Sequence, residues 1–125
     1  MANILIVDDA KDAAEALARF LEKNGHSVQV VPDGKEALRA VIDDGTDLVI
    51  LDLLMPEMDG PSFLEVIRSY LRLQTLPVVV LTAVSDGPLL DRVRSAKVNC
   101  ILIKSQATND EILNAVNSSL HKIPN

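Results

Sequence analysis

The sequence predicts an α/β fold: a doubly wound five-stranded parallel sheet with five helices on its two faces, in one domain covering residues 1–125. Five short runs of aliphatic residues alternate with five segments whose apolar residues recur at helical spacing. The connections between them are short and rich in Gly, Pro, Asn and Asp, which is typical of compact crossovers between parallel strands. The pattern contains no interdomain linker, so we expect a single layered domain.

Each predicted strand ends at a polar or Pro-containing segment, and the five strands cover residues 4–7, 28–31, 48–51, 78–81 and 100–103. The third, Leu-Val-Ile-Leu, is a continuous apolar run followed by Pro56 and Asp59-Gly60, a pattern that indicates a strand covered on both faces. Asp52 stands at its carboxyl end, where open parallel sheets bind their ligands. Asp52 is therefore the first candidate for a functional residue.

Each of the five predicted helices has an apolar face for the core. In chain order these faces are Ala14, Leu17, Ala18 and Leu21; Ala37, Leu38 and Val41; Phe63, Leu64, Ile67 and Leu71; a short segment over 88–96; and Ile112, Leu113, Val116 and Leu120 within 110–120. Asn24-Gly25 is a typical C-terminal stop for the first helix, and Asp43-Asp44-Gly45 ends the second. Pro61 is tolerated in the first turn of the third helix.

Composition excludes several classes of protein. A net charge of −6 argues against nucleic-acid binding, because phosphates require a basic face. Cys100 is the only cysteine, so the chain can form neither an internal disulfide nor a cysteine metal site. The N-terminal residues lack the basic region and long apolar core of a signal peptide, and no apolar run approaches the length of a membrane span. We therefore expect a cytoplasmic protein without a membrane anchor.

Polar residues follow four of the five predicted strands. They are Asp8 and Asp9, Asp52, Thr82, and Lys104. Because the carboxyl ends of parallel strands lie on one edge of the sheet, these side chains can converge. Each also has a purely structural interpretation. Asp52 can be a turn former, Asp8 and Asp9 can cap the first helix, Thr82 can cap the fourth, and Lys104 can be a solvated charge.

Phosphoryl transfer onto Asp52 is the chemistry that suits this set. Three carboxylates in a small site repel one another, and Mg2+, which prefers oxygen ligands and keeps several waters, relieves that repulsion. With the metal bound, Asp52 can stay ionised and attack a phosphorus atom. Lys104 offers a compact positive charge and Thr82 a hydroxyl donor to the transferred oxygens. Catalysis would then consist of positioning and charge neutralisation.

These residues resemble the receiver domain of bacterial two-component response regulators over the whole chain. The matching motifs are Asp8-Asp9 after strand one, Asp52 with Met55-Pro56 and Asp59-Gly60, Thr82-Ala83, and Lys104. The resemblance implies a flavodoxin-like fold with strand order 2-1-3-4-5. In that order strands one and three are neighbours, so the acidic residues that follow them lie side by side.

The resemblance also implies a role for each position. Asp52 would accept a phosphoryl group from the phosphohistidine of a sensor histidine kinase or phosphotransfer protein, or from a small phosphodonor. Asp9, Asp52 and the Leu54 carbonyl would bind Mg2+, with Asp8 acting mainly through a water molecule. Thr82 and Lys104 would hold the phosphoryl group, and Thr82 would shift toward it, changing the surface that binds an output partner.

The sequence departs from the usual receiver pattern at three places. Ile101 stands where an aromatic switch residue is usual, three positions before the lysine. Ser105 replaces the proline that usually follows the lysine in a cis peptide, and for a non-proline residue the cis form costs about 2.5–4 kcal/mol. Lys97-Val98 replaces a common Gly-Ala pair. The acidic site matches the family, whereas the switch residues do not.

Two other functions remain open. A receiver-like interaction module that works without phosphorylation is compatible with Ile101 and Ser105. A haloacid-dehalogenase-like phosphatase also uses an Asp nucleophile, but it usually presents Asp-x-Asp, whereas Asp8 and Asp9 are adjacent here. No Gly-rich phosphate loop supports nucleotide binding. The residues contain no effector domain, so we expect a stand-alone receiver or an excised domain, as a monomer or weak dimer.

Overall fold

The computed structural model describes residues 2–43 and 45–121, and in it five parallel strands form one sheet in the order β2-β1-β3-β4-β5. The strands are β1 Asn3–Val7, β2 Ser27–Val31, β3 Leu48–Leu51, β4 Val78–Thr82 and β5 Cys100–Ile103. Each predicted strand boundary agrees with the structure to within one residue. The predicted fold class and the strand order implied by the resemblance are both confirmed.

Five α-helices cover the two faces of the sheet. They are α1 Lys11–Lys23, α2 Gly34–Asp43, α3 Gly60–Ser69, α4 Pro88–Ser95 and α5 Asn109–Leu120, with a single 3-10 turn at Leu71–Leu73. α1 and α5 pack on one face, and α2, α3 and α4 pack on the other. Among the described residues, no helix combines the length and the apolar character needed to cross a bilayer.

The strand β3 separates two apolar core layers. Leu48 and Ile50 pack with α1 and α5, whereas Val49 and Leu51 pack with the three helices on the opposite face. This alternation follows from the two-residue period of a strand. All four side chains are at most 2% exposed, so the prediction of a strand covered on both faces is confirmed.

The register of the sheet places the strand ends side by side. Val7 of β1 pairs with Val31 of β2 on one side and with Leu51 of β3 on the other. The next residues, Asp8 and Asp52, therefore lie adjacent at the carboxyl edge, and the amide of Asp52 donates to the Val7 carbonyl at 2.9 Å. The sheet pairing itself brings these two acids together.

Side chains or backbone fix three helix ends. Asp59 is the N-cap of α3, where its Oδ1 accepts from the Ser62 amide at 2.8 Å, and Pro61 lies in the first turn as predicted. Thr108 and Glu111 form a capping box that starts α5. α1 ends at Lys23 with Asn24 as its C-cap, which confirms the predicted stop.

Some predicted details of the helices are wrong. Leu71 does not continue the buried face of α3: the helix ends at Ser69, Tyr70 is extended, and Leu71 is 85% exposed while Leu73 is buried. In α5, Leu113 and Leu120 are only half-buried, although both pack against the core, whereas Ile112 and Val116 are buried. α2 ends at Asp43, and Asp44, predicted to belong to its stop signal, lies outside the described residues.

Candidate functional site

Three carboxylates meet at the carboxyl edge of β1 and β3. One oxygen from each of Asp8, Asp9 and Asp52 lies within 4.8 Å of the other two. Asp8 and Asp52 are each only 7% exposed, whereas Asp9 is exposed to solvent. The convergence predicted from their positions after the strands is confirmed for these three acids.

Lys104 joins the acids from the end of β5. Its Nζ lies 2.7 Å from Asp8 Oδ2 and 3.5 Å from Asp52 Oδ2, and its side chain is 29% exposed. Its backbone amide donates to the Thr82 carbonyl at 2.8 Å, which holds the start of the β5–α5 loop against the end of β4. The alternative of a solvated surface charge is therefore wrong for Lys104.

Asp8 has partners for both of its oxygens. Oδ2 accepts from Lys104, and Oδ1 accepts from the Ala10 amide at 2.9 Å, which turns the chain from β1 toward α1. The N-cap residue of α1 is Ala10, which makes no side-chain hydrogen bond, so the interpretation of Asp8 or Asp9 as a helix cap is wrong. Of the three carboxylates, only that of Asp9 is exposed to solvent.

Asp52 lies at one end of a cleft of about 330 Å³ between the sheet, α1 and α5, with apolar walls that include Leu17 and Ile112. Burial raises the pKa of Asp52; the positive charge of Lys104 lowers it and the negative charge of Asp8 raises it further. Its Oδ1 accepts from the Leu53 amide at 2.8 Å, so the side chain also shapes the loop that follows it. The turn-forming interpretation of Asp52 is therefore correct, and it is compatible with a functional role.

The pKa of Lys104 is also shifted, in the direction that favours the charged form of its side chain. Burial acts to lower its pKa, but the hydrogen bond to Asp8 and the negative charges of Asp52 and Asp8 outweigh burial, and the pKa is raised. The ammonium therefore stays charged beside the two buried acids. Three carboxylates facing one ammonium leave an excess of negative charge in a site made only of hard oxygen donors. This donor set fits a divalent cation such as Mg2+.

Thr82 is fully buried at the end of β4, and its Oγ1 accepts from the Val84 amide at 3.1 Å. The N-cap of α4 is Gly87, which makes no side-chain hydrogen bond, so Thr82 does not cap that helix. Among the described residues, no hydrogen bond joins the Thr82 hydroxyl to the acids. The structure brings together four of the five predicted side chains and holds the fifth against the β4–α4 loop.

The loop from Leu53 to Asp59 closes back on its own start. The Gly60 amide donates to the Leu53 carbonyl at 3.1 Å, and a Cβ on Gly60 would lie 2.8 Å from the Asp52 carbonyl oxygen. Within the loop, the Met58 amide donates to the Pro56 carbonyl at 2.8 Å around Glu57, whose φ is +69°. This hydrogen bond closes a γ-turn, a strained conformation for a non-glycine residue.

Two contacts near the site were not predicted. Arg92 of α4 lies 3.7 Å from the Asp59 carboxylate and 3.2 Å from that of Glu65, which links α4 to the start of α3. Gly34 is the first residue of α2 and contacts Met58. No local pattern indicates either contact, since each depends on the packing of separate elements.

A doubly wound sheet of this order, with three carboxylates and a lysine at its carboxyl edge, defines a receiver-type signalling module. The family model described as "Response regulator receiver domain" matches residues 4–117. The chain belongs to the response regulator receiver domain family. Its function is that of the family: a phosphoacceptor module of two-component signalling.

Several known proteins resemble the chain. Response regulator MprA of Mycolicibacterium vanbaalenii is 46% identical over 81 residues, 65% of this chain and 34% of that protein. The signal receiver domain of a signal transduction histidine kinase from Syntrophus aciditrophicus is 31% identical, with a TM-score of 0.89 over 100% of this chain and 96% of that chain. The Mn2+-bound form of response regulator Rcp1 is 26% identical, with a TM-score of 0.80 over 99% and 98%. The chain spans about a third of the length of the curated relatives it matches.

Proposed function

We propose that Asp52 is the phosphoacceptor of this receiver domain and that residues 1–125 form one such domain. The observation that supports this most strongly is the position of Asp52, a carboxylate only 7% exposed with Lys104 3.5 Å away and two further acids beside it. Burial restricts water around the nucleophile, and the lysine supplies positive charge where phosphoryl oxygens would lie. This is the arrangement that phosphoryl transfer to a carboxylate requires.

In the proposed reaction a carboxylate oxygen of Asp52 attacks the phosphorus atom of a phosphohistidine. A P–O bond forms as the P–N bond breaks, and the electron pair of the broken bond leaves with the imidazole nitrogen, which takes a proton from solvent. Lys104 keeps its charge throughout because its pKa is raised, and its ammonium would move from the acids toward the transferred phosphoryl oxygens.

Asp9, Asp52 and the Leu54 carbonyl would hold Mg2+, with Asp8 acting through a bound water. The structure supports this division, because both oxygens of Asp8 already have partners in Lys104 and the Ala10 amide. A relative in the family, Rcp1, has been solved in a Mn2+-bound form. When bound, the cation would supply charge neutralisation and keep Asp52 ionised against the effect of its burial.

Thr82 would contribute a hydroxyl donor to the phosphoryl group. Its Oγ1 accepts from the Val84 amide at 3.1 Å and keeps its own proton free to donate, so a shift of Thr82 toward the phosphoryl group would be passed to Val84 through this hydrogen bond. Phosphorylation would therefore alter the β4–α4 loop directly, and that change would carry the signal to an output partner.

The phosphodonor would be a sensor histidine kinase, a phosphotransfer protein or a small phosphodonor. We propose a cytoplasmic module, monomeric or weakly dimeric, without direct nucleic-acid or membrane contact and without turnover of a separate substrate. A phosphatase of the haloacid-dehalogenase type would hydrolyse phosphomonoesters repeatedly, and we expect no such turnover here.

Phosphotransfer profiling tests this proposal. The histidine kinases of the source organism are each autophosphorylated with labelled ATP and mixed with the wild-type chain or with Asp52→Asn. We expect one kinase to transfer label within seconds to minutes to the wild type and none to the variant. Label on the variant at the wild-type level would rule out Asp52 as the acceptor.

A further inference from the structure

The first turn of α2 lies directly against the loop that follows Asp52. Gly34 is buried, and a Cβ built on it would lie 2.7 Å from the Met58 carbonyl oxygen and 3.0 Å from Met58 Cβ and Cγ. The backbone of Gly34 does not have a positive φ, since among the glycines of the described residues only Gly25 and Gly87 do. Glycine is therefore required at this position for space and not for an unusual backbone conformation.

The loop that Gly34 contacts is strained. Glu57 has a φ of +69°, and the Met58 amide closes the γ-turn onto the Pro56 carbonyl. Strained conformations of this kind persist only where the surrounding structure holds them in place. Two glycines allow close contacts with this loop. Gly60 lets the end of the loop approach the Asp52 carbonyl, and Gly34 lets α2 contact Met58.

We infer that Gly34 is a positioning residue for the phosphoacceptor site: by letting α2 pack against Met58, it fixes the loop that carries the Leu54 carbonyl next to Asp52. This inference rests on the proposed function of that loop in holding the metal. Mg2+ requires nearly ideal octahedral geometry, so a loop displaced by a few tenths of an ångström binds it less well. α2 thus acts on the site although none of its residues lies in the acid cluster.

The test compares Gly34→Ala with two control variants. Gly45→Ala adds the same methyl group where, apart from the adjacent residues of the chain, no heavy atom of the described residues lies within 4 Å. Val41→Ala removes buried side-chain volume two turns further along α2, where the residue is 1% exposed, and so lowers stability without adding an atom against the loop. Mg2+ affinity is measured by titration monitored through amide chemical shifts, and the metal-free spectra report the loop itself.

We expect Gly34→Ala to weaken Mg2+ binding roughly threefold to tenfold, as small misplacements of reacting or binding groups do, while both controls stay within about twofold. In the metal-free protein, the largest amide shift changes of Gly34→Ala outside the first turn of α2 should fall at residues 53–60. Wild-type Mg2+ affinity in Gly34→Ala would overturn the inference, and so would an equal loss of affinity in Val41→Ala.

A second variant changes the same contact on the side of the loop. Met58→Ala should perturb the amides of residues 34–37 as well as those of the loop, and an unperturbed first turn of α2 would contradict the contact even if Gly34→Ala fails to fold. If the wild type binds no Mg2+, the proposed metal site is wrong. The amide shifts of the two variants would then still decide whether Gly34 positions the loop.

Discussion

Lys104 lies closer to Asp8 than to the proposed phosphoacceptor: its Nζ is 2.7 Å from Asp8 Oδ2, a hydrogen-bond distance, and 3.5 Å from Asp52. Asp8 therefore holds the lysine beside the acceptor in the unphosphorylated protein. The two residues are 96 positions apart in the chain and meet only because β1 and β5 end at the same edge of the sheet. This pairing is the reason why we propose Asp9 and Asp52, rather than Asp8, as the direct carboxylate ligands of a metal.

The first prediction concerns metal affinity. Asp9→Ala should weaken Mg2+ binding by about tenfold or more, because it removes a carboxylate ligand from a cation that binds few protein groups. Asp8→Ala should have a smaller effect, since Asp8 already binds Lys104 and the Ala10 amide. Calorimetric titration of both variants with Mg2+ measures the difference. Equal affinity in wild type and Asp9→Ala would contradict the ligand assignment.

The second prediction concerns the stability of the metal-free protein. Burial raises the pKa of Asp52, so its contribution to stability is fully present below the unfolded-state value and is lost as pH rises through the folded-state value. At neutral pH, Asp52→Asn should therefore raise the free energy of unfolding, because it removes a charge that burial disfavours. The gain should disappear below about pH 3.9, the ordinary pKa of an aspartate.

Urea unfolding at several pH values, with and without Mg2+, measures this effect. Added Mg2+ should reduce the gain, because it binds the folded wild type more tightly than the variant. Asp86→Asn, on an exposed loop, is the matched control and should change stability by less than about 0.5 kcal/mol. An Asp52→Asn variant that is less stable than wild type at neutral pH would show that Lys104 outweighs burial at this site.

The third prediction concerns the lifetime of the phosphorylated form. Leu54 is 54% exposed beside the acceptor and Val84 is half-buried at the β4–α4 loop, and neither side chain can orient a water by hydrogen bonding. Leu54→Asn and Val84→Asn should each shorten the lifetime by roughly two- to tenfold, since general-base or orienting groups accelerate hydrolysis. Phosphate release after removal of the donor measures the rate. A wild type that loses phosphate as fast as these variants would refute this explanation.

The fourth prediction concerns the route of the signal. Ile101 is half-buried and packs against the core on the face covered by α2, α3 and α4, and its β-branched side chain has little rotamer freedom. Beryllofluoride, a phosphoryl mimic, should shift the amides of residues 82–87 strongly, because the Val84 amide donates to the Thr82 hydroxyl and would follow its movement toward the mimic. The amides of β5 should shift much less.

Ile101→Tyr provides the complementary variant, since it restores an aromatic ring at the usual switch position. Its β5 amides should respond to beryllofluoride more than those of wild type. The Lys104–Ser105 peptide is trans, like every peptide bond of the described residues, and we expect it to stay trans in this variant. Amide shifts in wild-type Cys100–Ile103 as large as those around Thr82 would show that β5 switches without a ring.

Local sequence patterns were sufficient to predict most of the fold and to identify the members of the acid cluster. The strand boundaries follow from the change from apolar to polar residues at Asp8, Asp52 and Lys104, and that change depends only on neighbours in the chain. The same positions mark the functional edge, because a parallel sheet gathers its carboxyl ends. One local pattern therefore predicts both the strands and the convergence of the acids.

Features that depend on distant contacts were not predictable in this way. The apolar spacing continues past Ser69 to Leu71, but Arg68 donates to the carbonyls of Leu73 and Lys97 and so stabilises the 3-10 turn where the helix was expected to continue. Gly34 follows Pro32 and Asp33, residues that are common in turns, and nothing nearby in the sequence indicates its contact with Met58. In both cases the contact partner comes from another element, which a periodic pattern cannot identify.

Phosphorylation of Asp52 is tested most directly by incubating the protein with acetyl phosphate and Mg2+ and measuring its intact mass, followed by peptide mapping. We predict a gain of one phosphoryl group, located on Asp52, that requires Mg2+ and is absent in Asp52→Asn. An unmodified wild type, or a gain of the same size and yield in Asp52→Asn, would contradict the assignment of Asp52 as the phosphoacceptor.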